Sequence, residues 1–318
     1  MNQPDLSVII STYNRAEQLN GLFKNFEDQN YPKGQFSWEL IIIDNNSKDK
    51  TRQLVQEWIE KKSLPIVYEF EPRQGKSFAL NRAIKIARSE YLAFTDDDVI
   101  LDPLWLSSIH KAFKENEYDC FGGKIIPIIE GDLPDYLTED PRYPTHLTAV
   151  GNHDMGDKIR DYRRRTHGPS GANMFMKKKL FEQHGYFRTD MGCWGEVDSV
   201  FGEDTELMNR FRKNGVNILY YPAAALYHPS SQEKLKKSFI RKYTWGCARG
   251  DARWLNISEN TIKYFNIPRY LIREAFQEFV KFLFSRLSRK KYKKFYYEIQ
   301  FLYKLGILYD FYMMGNDD

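Results

Sequence analysis

Short apolar runs alternate with amphipathic stretches along the first part of the chain, and the alternation predicts strands and helices in turn. Leu6-Ser-Val-Ile-Ile10 is β-branched and almost wholly apolar, as a strand covered on both faces requires, and it breaks into a loop at Ser11-Thr12-Tyr13-Asn14-Arg15. Ala16 to Gln29 carries Leu19, Leu22, Phe23 and Phe26 at helical spacing, with Tyr31-Pro32-Lys33-Gly34 as its stop. Trp38 to Ile43 is a second buried strand, ended by Asp44-Asn45-Asn46-Ser47, and a helix follows over Asp49 to Lys61. Ile66 to Phe70 reads as a strand, Glu71-Pro72-Arg73-Gln74-Gly75-Lys76 as a polar loop and Ser77 to Arg88 as a helix. This βαβα alternation predicts a doubly wound α/β sheet, whose ligands sit beyond the carboxyl ends of the strands.

The pattern continues with a change of character. Pro103 to Asn116 reads as a helix with Leu104, Leu106, Ile109 and Phe113 inward, and Cys120 to Ile129 as a strand with a glycine break. Residues 130 to 166 show no clean period and read as an irregular region, a length of loop that is often functional. Small residues bring Gly168 to Met176 into a strand, Lys177 to His184 makes a short helix, and Ile218 to Tyr227 makes a last strand with His228 directly after it. Gln232 to Arg253 looks helical and basic. Ile272, Phe276, Phe279, Leu283 and Leu287 then form one helical stripe, and Phe295, Ile299 and Leu302 another. These stripes either pack on each other and on the α/β domain or lie in a membrane interface. The expected division is residues 1–230 as the α/β domain and 231–318 as a basic amphipathic helical region.

Charge sharpens that division. Residues 231–318 hold 18 Lys and Arg against 9 Asp and Glu, whereas the whole chain is only +4, so everything before is acidic. An acidic main domain argues against nucleic acid as the partner of the basic region. Three widely spaced cysteines, Cys120, Cys193 and Cys247, make neither a disulfide framework nor a zinc knuckle. A reducing compartment fits. No run approaches the roughly 20 apolar residues of a membrane span, and the start of the chain lacks the pattern of a secretory signal.

The chemistry concentrates where apolar runs end in acid. Tyr91 to Thr95 runs straight into Asp96-Asp97-Asp98. Adjacent aspartates repel one another and gain nothing from burial, so they need solvent or a cation. A divalent metal is the simplest neutraliser, and oxygen ligands of this kind suit Mg2+ or Mn2+, with sites left for the phosphates of a substrate. Neither a Gly-x-Gly-x-x-Gly turn nor a P-loop is present, so side chains must hold any nucleotide. Asp44 can accept from a base or ribose or cap the following helix. Thr12 and Tyr13 can line the base. Arg73 and Lys76 can reach phosphates or sit as plain surface charges. Glu203 and Asp204 open a helix after Gly202, where the dipole stabilises carboxylates, and one of them can serve as a base toward a hydroxyl. Trp194, on the glycine-flanked stretch before them, can stack on a sugar ring or be a structural tryptophan.

Five segments in order, Ser7 to Arg15, Ile41 to Ser47, Phe94 to Asp98, Gly171-Ala172-Asn173 and Gly202-Glu203-Asp204, resemble the family 2 glycosyltransferases of the GT-A fold. The resemblance spans roughly residues 5 to 230. It implies a Rossmann-like mixed sheet and an inverting transfer of sugar from a nucleoside-diphosphate sugar, UDP ahead of GDP or dTDP, to a carbohydrate or lipid-linked acceptor. The donor-binding set would be Thr12, Tyr13, Asn14, Arg15, Asp44, Arg73, Lys76, Asp96 and Asp97. Asp96, Asp98 and His228 would hold Mn2+ or Mg2+, and Asp204, or its neighbour Glu203, would be the base. The Gln-x-x-Arg-Trp signature of processive members is missing, only Arg241-Lys-Tyr-Thr-Trp245 being present, which suggests addition of one or a few sugars. The expected setting is cytoplasmic, peripheral at the inner face of a bacterial membrane. Two other readings share part of this equipment: a nucleotide-sugar-binding regulator without turnover, and a nucleotidylyltransferase.

Overall fold

The computed structural model describes residues 3–138, 140–144, 150–162, 168–192 and 200–314. Trp194 and its proposed sugar stacking lie outside them. The chain divides into two compact units, the first built from the described parts of residues 1–127, 152–195 and 203–229, the second from those of 128–151, 196–202 and 230–318.

The first unit is organised by a mixed sheet. Its leading elements are β1 (Leu6–Thr12), α1 (Ala16–Glu27), β2 (Trp38–Asp44), α2 (Thr51–Lys61), β3 (Ile66–Phe70), α3 (Lys76–Ile86) and β4 (Tyr91–Thr95). Then come β5 (Ile100–Leu101), α4 (Trp105–Glu115), β6 (Cys120–Ile129), β7 (Arg160–Asp161), β8 (Asn173–Lys177), α5 (Lys179–His184), α6 (Glu203–Lys213) and β9 (Ile218–Ser230). The strands lie in the order β3-β2-β1-β4-β8-β6-β9-β5, with β7 against β9. β3, β2, β1 and β4 run parallel, while β8 is antiparallel to both β4 and β6. Alternation sorts the side chains: Val8, Ile10, Leu40 and Ile42 join α1, α2 and α4 in one core, and Ile9, Ile41 and Ile43 join α3, α5 and α6 in the other. Because β1 and β2 are in register with Thr12 opposite Asp44, their carboxyl ends finish level. The chain leaves β1 toward β2 and β3 and returns to place β4 on its other side, so the crevice between β1 and β4 is the switch point of the sheet.

In the second unit, α7 (Gln232–Leu235) and α8 (Lys237–Trp254) precede a small hairpin, β10 (Lys263–Tyr264) and β11 (Ile267–Pro268), then α9 (Arg269–Ser285) and α10 (Lys291–Met314). Gly306 on α10 lets that helix close on α8, since a Cβ there would stand 2.7 Å from the Ala248 Cβ. Asp310 is buried between Arg249 and Arg253, at 3.1 and 3.0 Å, which pins the same pair of helices with a paired charge. Among the described residues no helix is long and apolar enough to cross a membrane.

Four expectations are corrected. The glycines of Cys120–Ile129 do not break the strand; they admit neighbours, because a Cβ on Gly123 would lie 2.2 Å from both the Ala224 carbonyl oxygen and the Asn173 amide nitrogen. Leu104 is exposed because it precedes the first turn of α4 instead of lying on its inner face. His228 stands inside β9, which continues to Ser230. The helix expected over Gln232 to Arg253 is interrupted at Lys236, whose backbone is extended. Of the two apolar stripes left open between packing and a membrane interface, that from Ile272 to Leu287 is largely exposed, although Phe279 lies against Phe301 of α10, whereas Leu271, Ala275 and Ser285 of α9 and Phe295 and Ile299 of α10 are buried.

The Gly123 contact is the tightest of these features. Gly123→Ala is expected to destabilise the protein by about 1–3 kcal/mol or more, read as a lowered midpoint in urea denaturation. Gly34→Ala is not a suitable control because Gly34 has φ +83°; Gly21→Ala, where nothing lies within 4 Å, is.

Candidate active site

The carboxyl ends of β1, β2 and β4 bring their polar termini to one place. Thr12 donates its hydroxyl to Asp97 Oδ2 at 2.7 Å across the crevice between β1 and β4. The next residues form a loop stitched to the loop after β2. Asn14 adopts a left-handed conformation with φ 52°, donates its backbone N–H to Ser47 Oγ at 2.9 Å and accepts from the Lys48 N–H at 2.6 Å. Arg15 then reaches Asp98 at 3.4 Å. Tyr13 is left partly exposed beside this stitched loop.

Asp44 ends β2 almost wholly buried. Its Oδ1 accepts the Ser47 N–H at 2.8 Å, which closes the turn after β2 and does not cap α2, a helix that starts only at Thr51; its Oδ2 accepts the Tyr68 hydroxyl at 3.0 Å. A carboxylate has about four acceptor positions, so these two bonds do not exhaust it. Burial, and then the Asp44 charge, push the Tyr68 phenol up to about 12, so it stays a donor well into alkaline pH. Tyr68 carries no sequence signal beyond its place in a strand.

A second residue not anticipated is Asn45. Its side chain donates to the carbonyls of Glu71 and Arg73 at 3.3 and 2.6 Å and accepts the Gly75 N–H at 2.8 Å. The loop before α3 is thereby held by one amide. Gly75 has φ 135°, a conformation in which a side chain is strained, and it turns the chain into Lys76 at the start of α3. Arg73 is engaged elsewhere: its guanidinium pairs with buried Glu71 at 2.7 Å and lies over the Phe78 ring. Lys76 points to the acids, with Nζ 2.6 Å from Asp96 Oδ1.

Three of the expected metal ligands converge. Asp96, Asp98 and His228 each offer a donor atom within 4.8 Å of the others. His228 Nε2 is 3.7 Å from Asp98 Oδ1, and its Nδ1 is buried without a hydrogen-bond partner among the described residues. Two carboxylates and an imidazole gathered around one point fit a divalent cation of the Mn2+ or Mg2+ kind. Asp97 points away into the protein. Burial, and then the neighbouring Asp98 charge, push its carboxyl up to about 7 against the opposing Thr12 bond and Arg15 charge.

The acids that open α6 belong to the same neighbourhood. Asp204 accepts the Gly171 N–H at 2.7 Å and the Thr205 N–H at 2.7 Å. Gly202, at φ 102°, turns the chain into this helix start. Glu203 is buried; desolvation, and then the Asp204 charge, push it up to about 7, with Lys76 opposing. For Lys76 itself burial lowers the pKa, and the surrounding charges of Asp96, Glu203 and Asp204 together raise it above its ordinary value. One lysine thus sits in the field of acids from β4 and from α6. Ser77, the next residue, donates to the Met191 carbonyl at 2.8 Å and so ties the start of α3 to the segment approaching α6.

Comparison with known proteins bears on this arrangement. Residues 7–185, more than half of the chain, match the family described as "Glycosyl transferase family 2". The chain belongs to glycosyl transferase family 2. Glycosyltransferase AglE of Haloferax volcanii is 26% identical over 239 residues, covering 74% of this chain and 71% of the relative. Two other curated relatives are matched over only 34% and 36% of their own length. Among solved structures, mannosyltransferase PcManGT from Pyrobaculum calidifontis, in complex with GDP-Man and Mn2+, superposes with a TM-score of 0.53 at 21% identity, covering 79% of this family 2 chain and 63% of that one. Residues 1–349 of TarS from S. aureus, in complex with UDP, superpose with a TM-score of 0.50 at 17% identity over 95% and 92% of the two chains. These likenesses show the fold, the mixed α/β sheet flanked by helices that the five sequence segments imply.

The Glu203 environment has a measurable consequence. Between the ordinary glutamate value of 4.5 and about 7 the folded protein keeps a proton that the unfolded chain has released, so this group makes stability fall as pH rises through that window. In metal-free protein, Glu203→Gln is expected to be more stable than wild type above about pH 7, by on the order of 1–3 kcal/mol, and equal to it near pH 4. Urea denaturation across pH reads the difference.

Proposed function

We propose that this chain is an inverting glycosyltransferase that moves one sugar from a nucleoside-diphosphate sugar to an acceptor hydroxyl. The observation that carries the reading is the gathering of Asp96, Asp98 and His228 around one point, with Lys76 joining Asp96 to the field of Glu203 and Asp204. Folding does not call for three consecutive acids at the end of β4; a diphosphate and its cation do.

In this reading Asp44 receives the base or ribose of the nucleotide, beside the loop of Thr12, Tyr13, Asn14 and Arg15. Asp96, Asp98 and His228 hold Mn2+ or Mg2+, which supplies charge stabilisation to the departing diphosphate. Lys76 is the protein cation nearest those acids and offers the same sign of charge to phosphate oxygens. Arg73 contributes less directly, since Glu71 already engages it. Asp204 takes the proton from the acceptor hydroxyl. It is fixed by two backbone N–H groups, so its orientation does not depend on a mobile partner. PcManGT binds GDP-Man with Mn2+ and TarS binds UDP, so the fold accommodates both bases; we place UDP first. The acceptor is a carbohydrate or a lipid-linked sugar of polysaccharide synthesis.

Thermal shift with UDP, GDP, dTDP and CMP, with and without Mn2+, separates donor classes: one diphosphate is expected to stabilise the protein only with metal, and Asp98→Asn is expected to abolish that dependence. If no nucleotide shifts the midpoint in either condition, the nucleotide-sugar reading is wrong.

Sugar-nucleotide turnover tests the base. Asp204→Asn is expected to lower kcat by about 10²–10⁴ while leaving the metal-dependent nucleotide shift in place. A comparable loss in Glu203→Gln with normal turnover in Asp204→Asn assigns the base to Glu203 instead.

A further inference from the structure

The apolar stripe of α9 has no task in the transfer reaction. Leu271 and Ala275 face inward, Phe279 lies against Phe301 of α10, and the outer arc carries Ile272, Phe276, Leu283 and Phe284, continued by Leu287 past the helix end. Phe276 is 64% exposed, Phe284 69% and Leu287 83%. Helical rise makes this ridge about 20 Å long. Single exposed apolar side chains are ordinary, but a contiguous row of large ones is the mark of a surface meant to be covered.

The charges around it say by what. Residues 263–294 contain ten Lys and Arg against two Asp and Glu. Those two acids are already matched, Glu274 to Lys304 at 2.8 Å and Glu278 to Lys281 at 2.7 Å. Arg269, Arg273, Arg286, Arg289 and Lys290 are exposed. A second copy of this surface would bring like charges together, whereas an anionic lipid surface presents opposite charge and an apolar interior in one place. We infer that this face of α9 docks on anionic lipid, with Phe276, Phe284 and Leu287 entering the acyl boundary and the basic residues at the headgroups. The helix lies in the interface, since no described helix can span the bilayer.

The inference stands apart from the transferase reading, because binding is measured with neither donor nor acceptor. The full chain is sedimented with vesicles of phosphatidylcholine alone and of phosphatidylcholine with phosphatidylglycerol, at low and high salt. The expected result is capture by the anionic vesicles only, fading with salt. Arg286→Gln, Arg289→Gln and Lys290→Gln combined are expected to weaken capture about a hundredfold. Phe276→Ser with Phe284→Ser is expected to abolish it; both side chains are exposed, so an unchanged circular dichroism spectrum and melting midpoint confirm the fold. Failure of wild type to sediment overturns the inference. So does equal capture by neutral vesicles, or self-association in sedimentation velocity that the phenylalanine variant removes, which assigns the face to a second copy.

Discussion

Repulsion among carboxylates is the constraint around which the first unit is built. Asp96, Asp97 and Asp98 follow one another at the end of β4, and Glu203 and Asp204 stand within the field of the same lysine. The chain tolerates them by dividing them. Asp97 turns inward to Thr12, Asp98 outward to Arg15 and His228, and Asp96 to Lys76. Asp96 and Asp98 thus each have a cationic neighbour and Asp97 a hydrogen-bond donor, and what remains in common is a small acidic region facing the crevice of the sheet. Such a region attracts cations and, through them, phosphates.

The backbone geometry that allows this is local. Parallel pairing in register makes β1 and β2 end level, so that Thr12 and Asp44 are neighbours without any special contact between them. The loops that follow are then locked to each other by side chains bonding to backbone, Asn14 with Ser47 and Lys48, Asn45 with the loop before α3. Short polar residues are suited to this because they replace backbone partners that a turn leaves unmatched.

This division of labour explains what was legible in the sequence. β1 to β4 and the helices between them could be read because each run is covered in a way that its period reveals, and strand ends rich in acid announce a site. The gathering of Asp96, Asp98 and His228 was reached through resemblance more than through spacing, since His228 lies 130 positions from Asp98 along the chain and no period links them. Tyr68 and Asn45 were not legible at all. Their partners are distant in sequence, and a tyrosine in a strand or an asparagine in a turn has many ordinary uses. The Ile272 to Leu287 stripe shows the converse limit: periodicity reveals that a helix has an apolar face, but which face packs inward depends on the neighbours. Glycine at 123 was misread for a related reason, as a break in a strand when the requirement is room for Asn173.

The Asn45 clamp bears on how freely the loop before α3 can vary. What the amide engages at Glu71 and Arg73 is their carbonyl oxygens, and what it receives from Gly75 is an N–H. Main-chain atoms are common to nearly every amino acid. The path of the segment that delivers Lys76 is therefore set by the amide at 45 and the glycine that completes the turn, which leaves the Arg73 side chain to the separate duty of pairing the buried Glu71 charge.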